Sequence, residues 1–372
     1  VIESLSAIAD ACAIDVPVGQ RRPIAIVGAG AIVDNAHLKA YRAGGLEIVG
    51  ITDVNRARAD EVAERHGIGR VYRNLDELLA DERVEVVDIA VPAAAQPEIV
   101  RCALESGRHV LGQKPFAPRS AVAEQLVRLA KENELVLVVN QQLRFDEGMA
   151  AAHEVMRLGW LGEVTALTIA VDIWTDWTLW PWMLSLDELE VWNHSIHYHD
   201  VVRWFLGEPE SVYASAGRTP GQAPRGETRT TTTYRFASGA RALVNVNHEN
   251  QWGDQRAEFR LDGSGGSVRG TLGLLYDYPR GRPDTLEINS AIIGTDGWLP
   301  YPVTNRWIPD AFLGPMASLL AAAAGGPTPR TAASDNVGTL ALVEAIYRSI
   351  GTHTVQSPAV AAQIAATEAS KE

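Results

Sequence analysis

Apolar residues fall along this chain in two rhythms. Up to about residue 140, short, largely apolar runs alternate with longer stretches whose apolar positions recur at helical spacing. The runs are Ile24–Val27, Leu46–Ile51, Val84–Val91 (broken only by Glu85 and Asp88), His109–Leu111 and Leu135–Val139, with a shorter one at Val71-Tyr72. Helices are expected between them: one running to Arg42, then 55–66, 75–80, 97–106 and 118–132. Asn74 or Asp76 is placed to cap the helix at 75–80, and Gly107 to stop the helix at 97–106. Runs apolar on both faces belong to strands buried on both faces. Their alternation with helices predicts a Rossmann-type, doubly wound parallel α/β sheet with right-handed crossovers.

From about residue 145 the rhythm changes. A helix is expected over 149–158, a strand over 164–171 and a helix over 194–206. Residues 228–236 and 240–247 alternate with period two around Ala237-Ser238-Gly239, the pattern of a β-hairpin. Further strands are expected near 257–261 and 285–293, and a closing helix over 334–351, apolar at Val337, Leu340, Leu342, Val343 and Ile346. The second part therefore reads as an α+β domain with a large open, mainly antiparallel sheet. Such a sheet must cover its apolar face, and a second subunit is one way to do so.

Length and charge bound the rest. With 372 residues, 46% of them hydrophobic, the chain has room for two domains with real cores. The division expected is an arm over 1–21, the α/β domain over 22–143, the α+β domain over 144–352 and a tail over 353–372, with the closing helix able to pack back on the first domain. The first 20 residues hold Leu5, Ile8 and Ile14 interrupted by Glu3, Asp10 and Asp15, which suits a short surface helix better than a signal peptide. A net charge of −13 speaks against nucleic acid or an anionic membrane as partner, and no apolar run reaches spanning length. The only cysteines, Cys12 and Cys102, have no motif spacing, so neither a disulfide framework nor a cysteine metal site is expected, and a reducing cytoplasm fits.

Candidate chemistry begins at Pro23–Asp53, where strand, glycine turn, helix, strand and acidic residue follow one another. Gly28 permits the tight exit from the strand. Gly30 lets a pyrophosphate approach the backbone, with Ala31 and Ile32 opening the helix whose free N–H groups face it. Asp53, followed by Val54 and Arg56, stands where a carboxylate accepts from a ribose 2′-hydroxyl and repels a 2′-phosphate. That favours NAD over NADP, although Arg56 and Arg58 weigh the other way. The third fingerprint position holds Val33, and a glycine turn without any nucleotide is the alternative reading.

Three further stretches carry polar chemistry. Lys114, in Gly112-Gln113-Lys114-Pro115, follows a strand of the first sheet and so lies at the carboxyl edge, where ligands bind; a solvated surface lysine is the competing reading. Asn193 and His197 are four apart and share a helix face, one suited to bonding a hydroxyl and the other to moving a proton near neutrality. No nearby cysteine or carboxylate completes a ligand set with His194 and His197, so no metal is expected, and His194 and His199 read as helix-surface or core-edge residues. Half of the ten tryptophans fall between Trp174 and Trp192, among them Trp180 and Trp182. Their faces suit the C–H faces of sugars, and core or interface packing explains them equally.

Taken together, these segments resemble the Gfo/Idh/MocA family of NAD(P)-dependent sugar and polyol oxidoreductases over about residues 22–352. IAIVGAGAIVDNAHL is similar to its nucleotide turn, and AVPAAAQPEIVRCALESGRHVLGQKPF to its Pro-turn, helix and Glu-Lys-Pro run. LRFDEGMAAAHEVMRLGWLGEV, NHSIHYHDVVRWFLGEPESV and SDNVGTLALVEAIYRSIGTHTV resemble its Arg-Phe segment, its catalytic-histidine helix and its closing helix. The resemblance implies that Lys114 contacts the nicotinamide ribose and substrate and takes part in proton movement, that His197 is the catalytic histidine, and that Pro92 lines the cofactor. Three departures stand out: Gln113 replaces the usual Glu, Asn193 replaces the Asp four before the histidine, and Gln96 stands where many members carry His. Loss of two carboxylates should lower the pKa of a neighbouring lysine or histidine.

The resulting expectation is an NAD-dependent dehydrogenase of a neutral sugar, polyol or glycoside, acting as a homodimer or homotetramer. A secondary hydroxyl would lie between Lys114 and His197 on one side and nicotinamide C4 on the other, with Arg144 and Asn193 as further polar contacts and the tryptophan stretch as a wall. Two rivals follow from the same residues: an NAD-cycling enzyme that cleaves a glycosidic bond, and an NAD-binding sensor without catalysis.

Overall fold

In the computed structural model, the apolar runs of the first part become five strands: β1 (Ile24–Val27), β2 (Ile48–Thr52), β3 (Val86–Ile89), β4 (His109–Gly112) and β5 (Leu137–Val139). The structure describes residues 2–276, 278 and 281–359. The strands pair in the order β2-β1-β3-β4-β5, all parallel, and every residue of β1 and β3 is buried. Val71 reaches only a single bridge to Ile51. Local chemistry sets the helix ends. Asn55 caps Arg56–His66, Asn74 caps Leu75–Leu79 by accepting from the Glu77 N–H at 2.9 Å, and Gly67 closes the former in the left-handed region at φ +70°.

This compact unit comprises residues 14–145 and 308–340. The later segment brings a helix, Leu313–Ala323, that the sequence pattern does not announce: its run is apolar on every side and shows no face. Phe312, Met316, Leu319 and Leu320 are fully buried in the same core as Ile24, Ile26 and Val86. Residues just before the closing helix extend the sheet, Val139 N–H donating to the Thr331 carbonyl at 2.9 Å.

The second unit, residues 1–13, 146–307 and 341 onward, holds an eight-stranded sheet. Its strands are β6 (Val164–Asp172), β7 (Ser211–Gly217), β8 (Arg229–Arg235), β9 (Arg241–Asn247), β10 (Arg256–Gly263), β11 (Gly266–Thr271), β12 (Leu286–Ser290) and β13 (Leu299–Tyr301), in the order β13-β12-β11-β10-β6-β9-β8-β7. All pairs are antiparallel except β6 with β9. The expected hairpin is β8–β9. Alternation puts Leu167, Ile169, Val171, Val244, Val246, Phe259 and Leu261 on a buried face. Helix Glu147–Arg157 packs on β11 and helix Ile196–Leu206 on β6 and β9, so this face is covered within the unit. The outer face is polar, with Arg269 paired to Glu287 and lying 4.2 Å from the Trp298 ring. A subunit pairing through this sheet would use that polar face rather than an apolar one.

The N-terminal segment is more than an arm. It forms the helix Ile2–Cys12, which packs on Glu147–Arg157 and buries Ile8 completely. The closing helix, Ala333–Thr352, belongs with the first unit as far as Leu340 and with the second from Ala341. Of the expected tail, Gln356 bridges Val212, and residues 360–372 lie outside the described residues.

One buried pair in the second unit ties stability to pH. Asp146 caps Glu147–Arg157 by accepting from the Met149 N–H at 3.0 Å, and its carboxyl faces Asp284. Burial first, then the facing carboxylate, holds Asp146 well above the usual carboxyl range, and burial raises Asp284. Groups with raised folded pKa values bind protons more tightly folded than unfolded, so their stabilisation is complete in acid and is lost as pH rises through the folded values. Asp146→Asn keeps an acceptor for Met149 and donates to Asp284. It is expected to raise the thermal midpoint at pH 8 by roughly 2–4 °C and to give no gain near pH 4; melting curves at the two pH values check this.

Candidate active site

Two wide helical turns begin the helices that carry the candidate residues. The first, Val33–His37, follows the glycine turn and runs into Leu38–Ala43. Gly28 sits at φ +106°, and a Cβ there would meet the Ala90 carbonyl oxygen at 2.4 Å, so both conformation and crowding demand glycine. Gly30 is the opposite case: a Cβ there would have nothing within 4 Å, leaving its backbone open to a ligand. Val33 is fully buried at the start of the wide turn. Ala31 is exposed and Ile32 half-buried.

Asp53, just past β2, binds this turn. Its Oδ2 accepts from the Ala29 N–H and its Oδ1 from the Asn55 N–H, both at 2.7 Å. The carboxylate thus holds the phosphate turn in shape and keeps lone pairs for ribose hydroxyls. Val54 is fully exposed beside it, and Arg56 is engaged at the surface by Asp60 at 2.8 Å. An open glycine, a crowded glycine and a strand-end carboxylate fit a dinucleotide's phosphate and ribose.

Lys114 follows β4 at the carboxyl edge of the same sheet, in a cis Lys114–Pro115 peptide. Both its flanks are clamped. Gln96, fully buried at the start of helix Gln96–Glu105, donates from Nε2 to the carbonyls of Gln113 and Pro115, each at 2.8 Å. Gln113 accepts the Lys114 backbone N–H on Oε1 at 2.8 Å. Burial lowers the Lys114 pKa to about 8, a value suited to exchanging a proton near neutrality. Pro92 forms the turn beyond β3, accepting from the Ala95 N–H at 2.9 Å. Arg144 lies elsewhere in this unit's bonding. It is buried, its guanidinium reaching Asp335 at 2.7 Å and the Arg330 carbonyl at 3.0 Å, so it fastens the Gln142–Phe145 turn to the first turn of the closing helix and the segment before it.

In the second unit, the expected regular helix from residue 194 begins instead with the wide turn Val191–Ser195 and continues as Ile196–Leu206. Asn193 lies inside that turn, so its phase relative to His197 is not that of a regular helix, and its Nδ2 donates to the Leu189 carbonyl at 3.0 Å. The Glu227 carboxylate supports the turn's start, accepting from the N–H groups of Leu189, Glu190 and Val191 and from the Tyr347 hydroxyl at 2.7 Å. Buried Glu190 accepts from Ser195 Oγ at 3.0 Å and Thr230 Oγ1 at 2.5 Å. His197 is 5% exposed and meets Trp307 edge-on, centroids 5.4 Å apart.

The neighbouring histidines differ from expectation. His199 is fully buried rather than at a surface, bonded to Ser195 at 3.0 Å and to Tyr234, and burial lowers its pKa to about 4. His194 packs edge-on against Trp177, Trp180 and His248. Trp180 also lies 5.6 Å from Tyr278, Trp182 is half exposed, and Trp177 is buried with its indole N–H donating to Glu249. Of the stretch's five tryptophans, Trp177 is therefore core, Trp174 and Trp182 are exposed, and Trp180 and Trp192 are half-buried. Glu190, Glu227 and Trp307, absent from the sequence-derived set, support or touch the His197 helix; only their apolar or strand-like context was visible in the sequence.

Comparison with known proteins places the chain. The family model for the Gfo/Idh/MocA oxidoreductases, NAD-binding Rossmann fold, matches residues 22–141, and the family's C-terminal domain matches residues 149–269. D-apiose dehydrogenase of Paraburkholderia graminis is 28% identical over 87% of this chain and 86% of its own length. D-xylose 1-dehydrogenase (NADP(+)) 2 of Haloferax volcanii is 26% identical over 88% of this chain and 97% of its own. An oxidoreductase from Agrobacterium radiobacter, solved with NAD+, L-tartaric acid and magnesium, shares the fold with a TM-score of 0.82 at 23% identity, over 91% of this chain and 99% of that one. Both domains of the family pattern occur here in order, and the chain belongs to the Gfo/Idh/MocA oxidoreductase family, its first domain being the family's NAD-binding Rossmann fold.

Proposed function

We propose that this oxidoreductase oxidises a secondary hydroxyl of a neutral sugar, polyol or glycoside, with NAD as its cofactor. The observation that carries the reading is Lys114, clamped on both flanks at the carboxyl edge of the nucleotide sheet and brought by burial to a pKa of about 8. Bound NAD supplies the hydride acceptor. The chain's own part is to hold the hydroxyl and remove its proton. Lys114 Nζ takes that proton, and His197 is the second proton carrier, orienting the hydroxyl. Gly28 and Gly30 receive the pyrophosphate, and Asp53 accepts the adenosine ribose hydroxyls. Trp180 and Trp182 offer apolar faces to a sugar's C–H surface, and Asn193 a polar contact. The apiose and xylose dehydrogenases among its relatives support a sugar-type substrate. A panel of neutral sugars and polyols, offered with NAD and NADP and read as reduced nicotinamide, tests the proposal. Absence of net reduction on every member would sink it, and substrate cleavage without net reduction would favour the NAD-cycling alternative.

Cofactor choice follows from Asp53. Replacing it with Ser is expected to weaken NAD by about 10-fold or more, since a charge-assisted hydrogen bond is worth about 1.5–3 kcal/mol. The turn it holds through Ala29 loosens for both cofactors. Only the NAD-to-NADP preference reports the charge itself, and titration with each cofactor should show that preference falling.

A further inference from the structure

Behind the Lys114 loop lies a polar chain that hydride transfer does not itself require. Asp88 interrupts the otherwise apolar β3, and Asp88, His37 and Tyr41 are all completely buried. Asp88 Oδ2 accepts from the Tyr41 hydroxyl at 2.7 Å and faces His37 Nδ1 at 2.7 Å. Across the ring, His37 Nε2 lies 3.0 Å from Gln113 Nε2 and 3.2 Å from Asn140 Nδ2. Gln113 Oε1 then accepts from the Lys114 N–H. Phe312 closes the last side of the ring, edge-on at 5.1 Å.

One constraint fixes every proton in this chain. A backbone N–H only donates, so the Gln113 atom facing Lys114 is the oxygen and the atom facing His37 is the amide nitrogen. That nitrogen needs a lone pair, so His37 Nε2 carries no proton. The single imidazole proton sits on Nδ1 and is donated to Asp88. Tyr41 keeps its own proton, because burial and the Asp88 carboxylate push its pKa well above the usual phenol value. Donation therefore runs one way, from Lys114 N–H to Gln113, from Gln113 to His37 and from His37 to Asp88, an arrangement in which each bond strengthens the next.

The residue at 113 sets the charge count. A carboxylate there would aim an oxygen at Nε2 and require a second proton on His37. Carboxylate, neutral imidazole and amide carry one negative charge in total, as do carboxylate, imidazolium and carboxylate. The core can hold either set. The difference is the charge placed against Lys114.

We infer that His37, held by Asp88 and Tyr41 as the neutral Nδ1–H tautomer, is a positioning residue for Lys114: it orients the Gln113 amide, which fixes the Lys114 backbone and keeps a carboxylate away from it. The link to catalysis rests on Lys114 as the proton acceptor proposed above; the tautomer does not. Nitrogen-15 NMR of the full-length chain, with His37 assigned by comparison with His37→Gln, reads the tautomer directly. The expected result is a ring protonated at Nδ1 and bare at Nε2 in the parent, and a doubly protonated ring in Gln113→Glu. In pH–rate profiles, Gln113→Glu should move the basic limb of kcat upward by about one pH unit. An Nε2-protonated His37 in the parent overturns the tautomer. The expected tautomer with an unmoved limb overturns the positioning role. Should Gln113→Glu not fold, the pH–rate profile of His37→Gln takes its place: with the ring gone from Gln113 Nε2 the basic limb should move, and an unmoved limb would overturn the positioning role. If the chain oxidises no sugar, the nitrogen spectra still decide the assignment of His37.

Discussion

Lys114→Ala is expected to lower kcat by about 10²–10⁴-fold, the usual contribution of a positioned acid–base group. The parent's kcat should rise with pH through about 8, where the amine becomes free, and the variant should lose that limb. Stability should move the other way. Burial depresses the folded pKa below the ordinary lysine value, so the folded chain holds the proton less tightly than the unfolded one. That cost is complete below about pH 8 and fades as pH rises towards the unfolded lysine value. Removing the amine therefore raises the melting temperature at pH 7 while it removes activity, a combination that a merely structural lysine would not give. Near-normal turnover of the variant would refute the role.

How much of this was legible beforehand depends on how local the cause is. The parallel sheet was legible because a strand buried on both faces must be apolar throughout, and five such runs stand apart in the sequence. Gly28 was legible because strain at a turn is a property of one residue. Lys114 was legible as a strand-end lysine, but not the way Gln96 clamps it, which needs residues 18 positions away to meet its flanks. His37 read as an ordinary helix residue. Its role comes from the wide turn that aims it at Asp88, and turns of that kind leave no periodic trace. Helix Leu313–Ala323 escaped for another reason: it joins the first core from some 170 residues downstream of that domain's last strand, with an all-round apolar run that has no face to detect. Asp146 shows the same limit, since its raised pKa comes from burial first and then from Asp284, a residue in a distant loop, and neither is written in its local sequence.

His197→Asn should separate proton transfer from cofactor binding. The residues that receive NAD in the proposed function lie in the first unit, whereas His197 lies in the second. The variant should therefore keep NAD affinity within about twofold while kcat falls by about 10²-fold or more. Asparagine keeps hydrogen-bonding groups close to the positions of the ring's Nδ1 and retains a side chain against the edge of Trp307, so the helix should still form. The wide turn before it is held independently, by Glu227 on the N–H groups of residues 189–191 and by Asn193 on the Leu189 carbonyl. Asn193→Asp sharpens the test, because it sets two effects against each other. A carboxylate near the helix start favours the protonated form of a neighbouring histidine and should shift the acid limb of kcat/KM upward. The same carboxylate cannot donate to the Leu189 carbonyl, so the thermal midpoint should fall as the limb moves. A fall in stability with no movement of the limb would mean that Asn193 only closes the turn, and that the charge at this position does not reach His197.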